Sequence, residues 1–277
     1  MKRALSIISV LAAVSALAAS SHGDPFFYEG FDYAEGELGA PWSILDGKPP
    51  VVSPGLTYQS LITEGNRVQG SANYFHNVST INASGIGERW NTDGSFYMTY
   101  LFERVNSTTF YVWSQMTIEP SAGGNPSYYM NVPWRDESNG INDGVDTEIG
   151  FVGADGTPDT VSINPFGEGI KMIAAKFTMD TAPGAADEIA IVLNPSTLAT
   201  EPNWEEATWT LSSDVTTLPI DPVPDTIRIH TRNWNNAEWD EIRIGDTWAD
   251  VAPIPEPATS VLLGLGGLLV LLRRRLC

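Results

Sequence analysis

Between residues 24 and 251 the chain consists of short runs of β-branched and aromatic residues, and no run has the periodicity of a convincing amphipathic helix. Glycine, proline, asparagine and aspartate separate the runs, as in strands joined by turns. The first two runs have a polar link and are predicted to form a hairpin. This spacing, without a fixed repeat, favours an all-β, two-sheet antiparallel sandwich. The predicted strands are 95–105, 110–118, 145–152, 170–178, 188–193, 207–211, 226–231 and 241–244.

The first 20 residues have the features of a secretory signal peptide. A basic start, Met1-Lys2-Arg3, precedes the uncharged apolar run 4–19, and Ala16-Leu17-Ala18 provides small residues before a cleavage site. We therefore expect signal peptidase to remove residues 1–20 during export. The alternative, an N-terminal membrane anchor, would ordinarily need a longer apolar run.

The other end of the chain has three parts in a fixed order. Pro255, Glu256 and Pro257 precede the apolar run 258–272, and Arg273, Arg274 and Arg275 follow it. As a helix the apolar run would be about 22 Å long, against roughly 30 Å of hydrocarbon, so it is a marginal anchor. The arginines would stay cytoplasmic, and the prolines would leave an extended segment outside the membrane.

These three parts resemble the PEP-CTERM sorting signal of bacterial envelope proteins. The resemblance implies recognition by a membrane exosortase, cleavage near Pro-Glu-Pro and a precursor held transiently in the inner membrane. The mature form would lie at the cell surface or in the extracellular matrix. Similar tails occur on some ice-binding proteins, but the body lacks the regular threonine array that ice binding would need. An ordinary tail anchor is the alternative.

The body contains, in order, the segments 29–33 (EGFDY), 170–177 (IKMIAAKF), 186–189 (ADEI), 192–195 (VLNP) and 239–245 (WDEIRIG). Together they resemble the concanavalin A-like lectin/glucanase sandwich. The resemblance implies a jelly-roll sandwich over residues 24–251, between the signal peptide (1–20) and the sorting signal (253–277). In the last segment strict alternation predicts that one face has Trp239, Glu241 and Arg243 and the other has Asp240, Ile242 and Ile244.

Glucanases of this fold have three acidic residues at alternating positions of one strand, because all three must face the same cleft. Asp146 and Glu148 share a face, but Gly144 and Gly150 occupy the flanking positions. The segment 238–242 fails in the same way. No catalytic residue is therefore predicted, and we expect a protein that is not an enzyme; a glucanase-like enzyme is the alternative.

Oxygen-rich side chains crowd the segment 136–148, which suits calcium because that ion prefers six to eight oxygen ligands. Asp143, Asp146 and Glu148 are the predicted ligands, although a solvated acidic turn is the alternative. Three tryptophans in polar settings, Trp134, Trp204 and Trp234, are predicted to stack on sugar rings. Their alternative role is packing against the sandwich.

The net charge of the chain is −19, and residues 24–251 have ten Lys and Arg against 33 Asp and Glu. Such a surface repels phosphate backbones, so we expect no nucleic-acid partner. The leading hypothesis is an exported envelope or matrix protein with a non-catalytic, lectin-like sandwich that binds extracellular polysaccharide. A purely structural surface protein is the other alternative.

Overall fold

The computed structural model describes residues 24–61, 63, 65–69, 76–104, 113–122, 128–133, 147–152, 158–163, 169–182, 185–213, 223–232 and 237–253. Within these ranges the chain is an all-β sandwich of two antiparallel sheets with a few short helices, as predicted. None of the helices described is long and apolar enough to cross a membrane. The predicted signal peptide and the apolar run 258–272 lie outside the described ranges, and the division into three parts stays a prediction.

The larger sheet has nine strands among the described residues, in the order β14-β13-β12-β7-β16-β5-β4-β2, with β1 paired to β16. Its strands are β1 (Phe27–Glu29), β2 (Gly36–Glu37), β4 (Pro50–Val52), β5 (Arg67–Gln69), β7 (Gly94–Arg104), β12 (Gly169–Met179), β13 (Asp187–Leu193), β14 (Trp209–Ser213) and β16 (Ala237–Gly245).

The smaller sheet has seven strands in the described part of the chain, in the order β11-β10-β9-β8-β15-β6-β3. They are β3 (Ser43–Asp46), β6 (His76–Asn82), β8 (Trp113–Glu119), β9 (Tyr128–Pro133), β10 (Thr147–Val152), β11 (Pro158–Ile163) and β15 (Thr226–Arg232). The short helices are α1 (Ser84–Trp90), a 3-10 helix (Trp204–Glu206) and α2 (Trp248–Val251).

The predicted hairpin of 95–105 and 110–118 is wrong in its pairing, although both strands exist. β7 lies between β12 and β16 in the larger sheet, whereas β8 lies between β15 and β9 in the smaller one. The two strands therefore belong to different sheets. Both strands bury one face in the same core. The alternating pattern of apolar residues is therefore the same whether two consecutive strands pair in one sheet or lie in opposite sheets, and it cannot predict a hairpin.

The main core lies between the two sheets and is rich in large aromatic side chains. Phe96 and Phe177 stack with ring centroids 4.5 Å apart, and Trp90 packs against both rings. The hydroxyls of Tyr100 and Tyr128 are 2.9 Å apart in the same core. Phe96, Tyr100, Tyr128 and Phe177 come from inward-facing strand positions, so the sequence alternation that predicted strands also assembled the core.

A β-bulge in β16 makes the predicted alternation of the closing segment wrong. The pairing register with β7 shifts between Asp240 and Arg243, and Glu241 has a φ of 54°. Because the bulge inserts one residue, the core receives Trp239, Ile242 and Ile244 instead of a strict every-second-residue set. Side-chain contacts outside the core are made by Asp240, Glu241 and Arg243.

The outer faces of the two sheets differ. A second apolar cluster packs on the outer face of the nine-stranded sheet and includes α2; its members are Leu56, Leu61, Tyr97, Leu101, Met172, Ala174, Leu198, Trp248, Val251 and Ala252. No apolar cluster of described residues covers the outer face of the seven-stranded sheet. The outer face of the seven-stranded sheet is consequently the one on which polar side chains can contact a ligand.

Candidate functional site

The outer face of the seven-stranded sheet has a row of polar residues from neighbouring strands. In register, Glu148 on β10 is opposite Asn131, which is opposite Gln115 on β8, and Gln115 is opposite His230 on β15. Strands are about 4.8 Å apart, so this row is about 14 Å long. The glutamate, glutamine and histidine side chains are each half-buried. The row is thus a shallow, extended site. Together with Tyr129 and Arg228 from the same side of the sheet, the residues Gln115, Glu148 and His230 are called the polar face below.

Tyr129 lies flat across the neighbouring strand of the polar face. Its hydroxyl donates a hydrogen bond to Glu148 Oε1 at 2.8 Å. A Cβ on Gly150 would be 2.2 Å from Tyr129 Cζ, so only glycine leaves room for this ring. Burial, reinforced by the contact with Glu148, raises the pKa of Tyr129. The phenol therefore stays protonated and orients the carboxylate.

Gly150 is also the position at which a glucanase-type strand would have a third acidic residue. The ring of Tyr129 occupies that place on the face. Sequence reasoning noted the glycine as a missing acid and did not identify Tyr129. A glycine inside a strand pattern is itself a signal of close approach by another group, and that signal was present in the sequence.

Arg228 of the polar face forms an ion pair with Glu119 on the neighbouring strand β8. Arg228 Nη2 is 2.6 Å from Glu119 Oε1, and the hydroxyl of Thr117 donates to Glu119 Oε2 at 3.1 Å. Burial raises the pKa of Glu119, and the charge of Arg228 opposes that effect. In the register of the sheet, Glu119 and Glu148 are two strands and four residues apart, about 16 Å. That separation exceeds the roughly 5–9.5 Å of a glycosidase carboxyl pair.

Of the predicted stacking tryptophans, Trp204 is the one within the described ranges, on the 3-10 helix. Its indole Nε1 donates to Glu201 Oε1 at 2.6 Å, and its ring packs beside Tyr97 and Trp248 with centroids 6.0 and 6.2 Å away. These contacts attach it to the second apolar cluster. Its use as a stacking platform stays a prediction, and the structure shows it in a packing role.

The other predicted site residues fall outside the described ranges, except Glu148. They are Asp143 and Asp146 of the calcium site, Trp134 and Trp234 of the stacking set, and Pro255, Glu256, Pro257, Arg273, Arg274 and Arg275 of the sorting signal. Among the described residues, no three His, Cys, Asp or Glu side chains are grouped so that they could hold a metal ion.

Asp240 is a buried carboxyl of the segment 238–242, in which the sequence predicts an incomplete acidic triad. It follows Trp239 at the bulge, and its Oδ2 accepts a hydrogen bond from the backbone N–H of Leu56 at 2.6 Å. Its Oδ1 accepts from the backbone N–H of Glu241 at 2.8 Å. Burial, with the charge of Glu241 adding to it, raises the pKa of Asp240 to about 8. The contact ties the segment around Leu56 to the nine-stranded sheet.

Comparison with known families identifies the end of the chain. The family model described as the PEP-CTERM protein-sorting motif matches residues 253–275. This confirms the motif predicted at Pro255, Glu256 and Pro257 and the arginines after them. The motif implies export and processing of a membrane-anchored precursor. No curated protein sequence matches the chain.

Several solved structures are similar to the chain at low sequence identity. An endo-β-1,4-glucuronan lyase from the fungus Trichoderma reesei is 11% identical with a TM-score of 0.44, covering 83% of this chain and 98% of its own. A carbohydrate esterase from the Shiga toxin-encoding bacteriophage phi24B is 14% identical with a TM-score of 0.44, covering 79% and 97%. The exoplasmic domain of VIP36, in a form bound to Ca²⁺ and Man2, is 8% identical with a TM-score of 0.45, covering 82% and 90%.

Proposed function

We propose that this chain is an exported envelope or matrix protein that an exosortase sorts, and that its sandwich binds a polysaccharide on the polar face without cleaving it. The sorting part is supported by the motif at residues 253–275. The binding part is supported by the contrast between the two outer faces, since an apolar cluster covers one and the other has half-buried polar groups in a row.

The polar face offers the groups that a sugar needs. The Glu148 carboxylate, oriented by Tyr129, accepts hydrogen bonds from sugar hydroxyls, and the Gln115 amide both donates and accepts. Tyr129 is only 8% exposed and contributes by orienting Glu148, and His230 lies at the far end of the row. A neutral or cationic glycan fits best, because the net charge of −19 repels polyanions.

Moving the Tyr129 ring should weaken this binding without unfolding the protein. In Gly150→Ala the new Cβ meets the far end of the Tyr129 side chain, which must move away, so we expect glycan affinity to fall about tenfold and the free energy of unfolding to fall by about 1–3 kcal/mol. Glycan arrays and titration calorimetry on the mature exported protein measure the affinity, and its thermal unfolding measures the stability. Gly39→Ala, where a Cβ meets nothing within 4 Å, is the matched control. Unchanged affinity in Gly150→Ala would place the binding site elsewhere.

The same preparation tests the absence of catalysis. We expect no release of reducing ends from any polysaccharide that the chain binds, and Glu148→Gln should reduce binding about fivefold because an amide has half the acceptor capacity. Sugar release by the wild type that disappears in Glu148→Gln would instead support the glucanase-like alternative.

Repeating the binding measurement with a chelator tests the predicted calcium ligands Asp143, Asp146 and Glu148. Loss of binding that added Ca²⁺ restores is the result that supports them.

The mature protein should lack both ends of the chain. Intact-mass measurement of protein from the native envelope should give a chain that begins near Ala19 and ends near Pro257. Replacing Pro255, Glu256 and Pro257 together by alanine should leave nearly all of the protein as a membrane-bound precursor, because the processing enzyme loses its recognition sequence. Lys48→Arg, a change of like charge at an exposed position of the body, serves as the control. A native mass equal to the full chain would contradict the sorting proposal.

A further inference from the structure

The last element of the sandwich is firmly attached to it. Trp248 Nε1 donates to the carbonyl of Leu198 at 3.0 Å, and Thr99 Oγ1 donates to the carbonyl of Val251 at 2.6 Å. Trp248, Val251 and Ala252 are all buried in the second apolar cluster. A capping box between Thr247 and Asp250 fixes the start of α2. The chain is therefore held in place up to Ala252.

The sorting motif begins at the next residue. Its match covers residues 253–275, so no spacer separates the buried Ala252 from the motif. Three residues at full extension reach about 10 Å, which is the farthest that Pro255 can lie from Ala252. The predicted apolar run starts three residues farther on, at Ala258, which can lie up to about 20 Å from Ala252. While the tail is in the membrane, the sandwich therefore stays within about 20 Å of the hydrocarbon, and an enzyme that cuts near Pro-Glu-Pro must reach within about 10 Å of the end of α2.

The attachment of α2 decides what a processing enzyme meets. Releasing Trp248 and Val251 from their apolar surroundings would be disfavoured by roughly a thousandfold or more. The enzyme therefore meets the intact surface made by α2 and the adjacent 3-10 helix Trp204–Glu206, defined here as the α2 face. The rings of Trp204 and Trp248 are in contact, which places the two elements side by side.

The charge on the α2 face indicates the chemistry of its partner. The exposed carboxylates of Glu201, Glu205 and Glu206 lie on the 3-10 helix or just before it. Lys176 Nζ is 3.7 Å from Glu201 Oε1 and offsets that charge, so Glu205 and Glu206 dominate the face. Acidic groups near a bilayer are repelled by anionic lipid headgroups and attracted by Lys and Arg of a protein partner. From this charge and from the missing spacer we infer that the α2 face docks on a basic surface of the membrane-embedded processing enzyme. This inference rests on the sorting function proposed above.

Two variants of the full precursor test the docking, by pulse-chase in cells that contain the processing enzyme. The first inserts a six-residue linker, Gly-Ser-Gly-Ser-Gly-Ser, between Ala252 and Pro253, which separates the motif from the α2 face. The second is Glu205→Lys with Glu206→Lys, which reverses exposed charge on that face. Both should be processed at least fivefold more slowly than the wild type. Glu35→Lys with Glu37→Lys makes the same charge change at exposed positions elsewhere and should be processed at the wild-type rate.

Either test variant processed at the wild-type rate, or faster, would overturn the docking inference while leaving the sorting proposal intact. A wild-type precursor that is never cut would overturn both. The insertion changes no residue of the sandwich, so it decides the question even if the charge reversal lowers stability. Thermal unfolding of the released products shows whether each variant has kept the fold.

Discussion

Gly65→Ala should leave the chain largely unfolded. A Cβ at this position would be 2.6 Å from both Asp32 Cα and the Gly30 carbonyl oxygen, and 2.7 Å from the Asp32 nitrogen. All three are backbone atoms, so no side chain can rotate away. Gly65 also has a φ of +74°, where an alanine costs about 1–2 kcal/mol. With overpacking of about 3 kcal/mol added, the loss is comparable to the whole stability of an ordinary domain.

Gly169→Ala separates the two contributions to this loss. Gly169 has a similar φ of +81°, but a Cβ there would meet nothing within 4 Å. It should therefore lose only the conformational part, about 1–2 kcal/mol. Urea unfolding followed by tryptophan fluorescence measures both variants. Equal midpoints for Gly65→Ala and Gly169→Ala would contradict the close approach of the segment 30–32 to Gly65.

Stability should fall as the pH rises from about 4 to about 8, and Asp240 should be a large contributor. Its pKa is raised from 3.8 to about 8 in the folded chain, so the folded state holds a proton that the unfolded state has released. The stabilisation is complete below the unfolded pKa and is lost as the pH passes through the folded value. At about 1.36 kcal/mol per pKa unit, the change is at most about 6 kcal/mol.

Urea midpoints of wild type and Asp240→Asn at pH 5, 6.5 and 8 test this contribution. Burial also raises the pKa of Glu29, Glu103, Glu119 and Asp187, so both proteins should lose stability with pH. The variant should lose less. An amide accepts through one oxygen only, so Asp240→Asn gives up one of the bonds from Leu56 and Glu241 and should be less stable than wild type at pH 5. Parallel slopes in the two proteins would rule out Asp240 as the source.

The sequence predicted the class of fold because alternating apolar positions are a local property. β7, β12 and β15 lie where runs of β-branched and aromatic residues were recognised. Which strands pair is not local, and the expected β7–β8 hairpin was wrong because both strands bury equivalent faces in one core. The bulge at Glu241 was also missed, since one inserted residue leaves the local composition unchanged while it exchanges the two faces of the strand.

The candidate site was only partly predictable. Glu148 was chosen for its carboxylate, but the reason for its orientation, Tyr129 lying over Gly150, depends on strands β9 and β10 being neighbours. Trp204 was chosen for its polar surroundings in sequence, and those same residues bind it in place, since Glu201 accepts its indole N–H. Asp240 belongs to the acidic segment 238–242, but its burial could not be predicted locally because its partner Leu56 lies 184 residues earlier in the chain.

The anchoring of α2 also bears on how long the protein would last outside the cell. After cleavage near Pro257, a carboxypeptidase trimming the new end would meet residues 253–257 and then Ala252, which is buried beside the hydrogen-bonded carbonyl of Val251. Exopeptidases need an extended, accessible end, so trimming should stop there. The buried end of α2 would thus protect the chain from carboxypeptidases, and the exported protein would keep a defined C-terminus near Ala252.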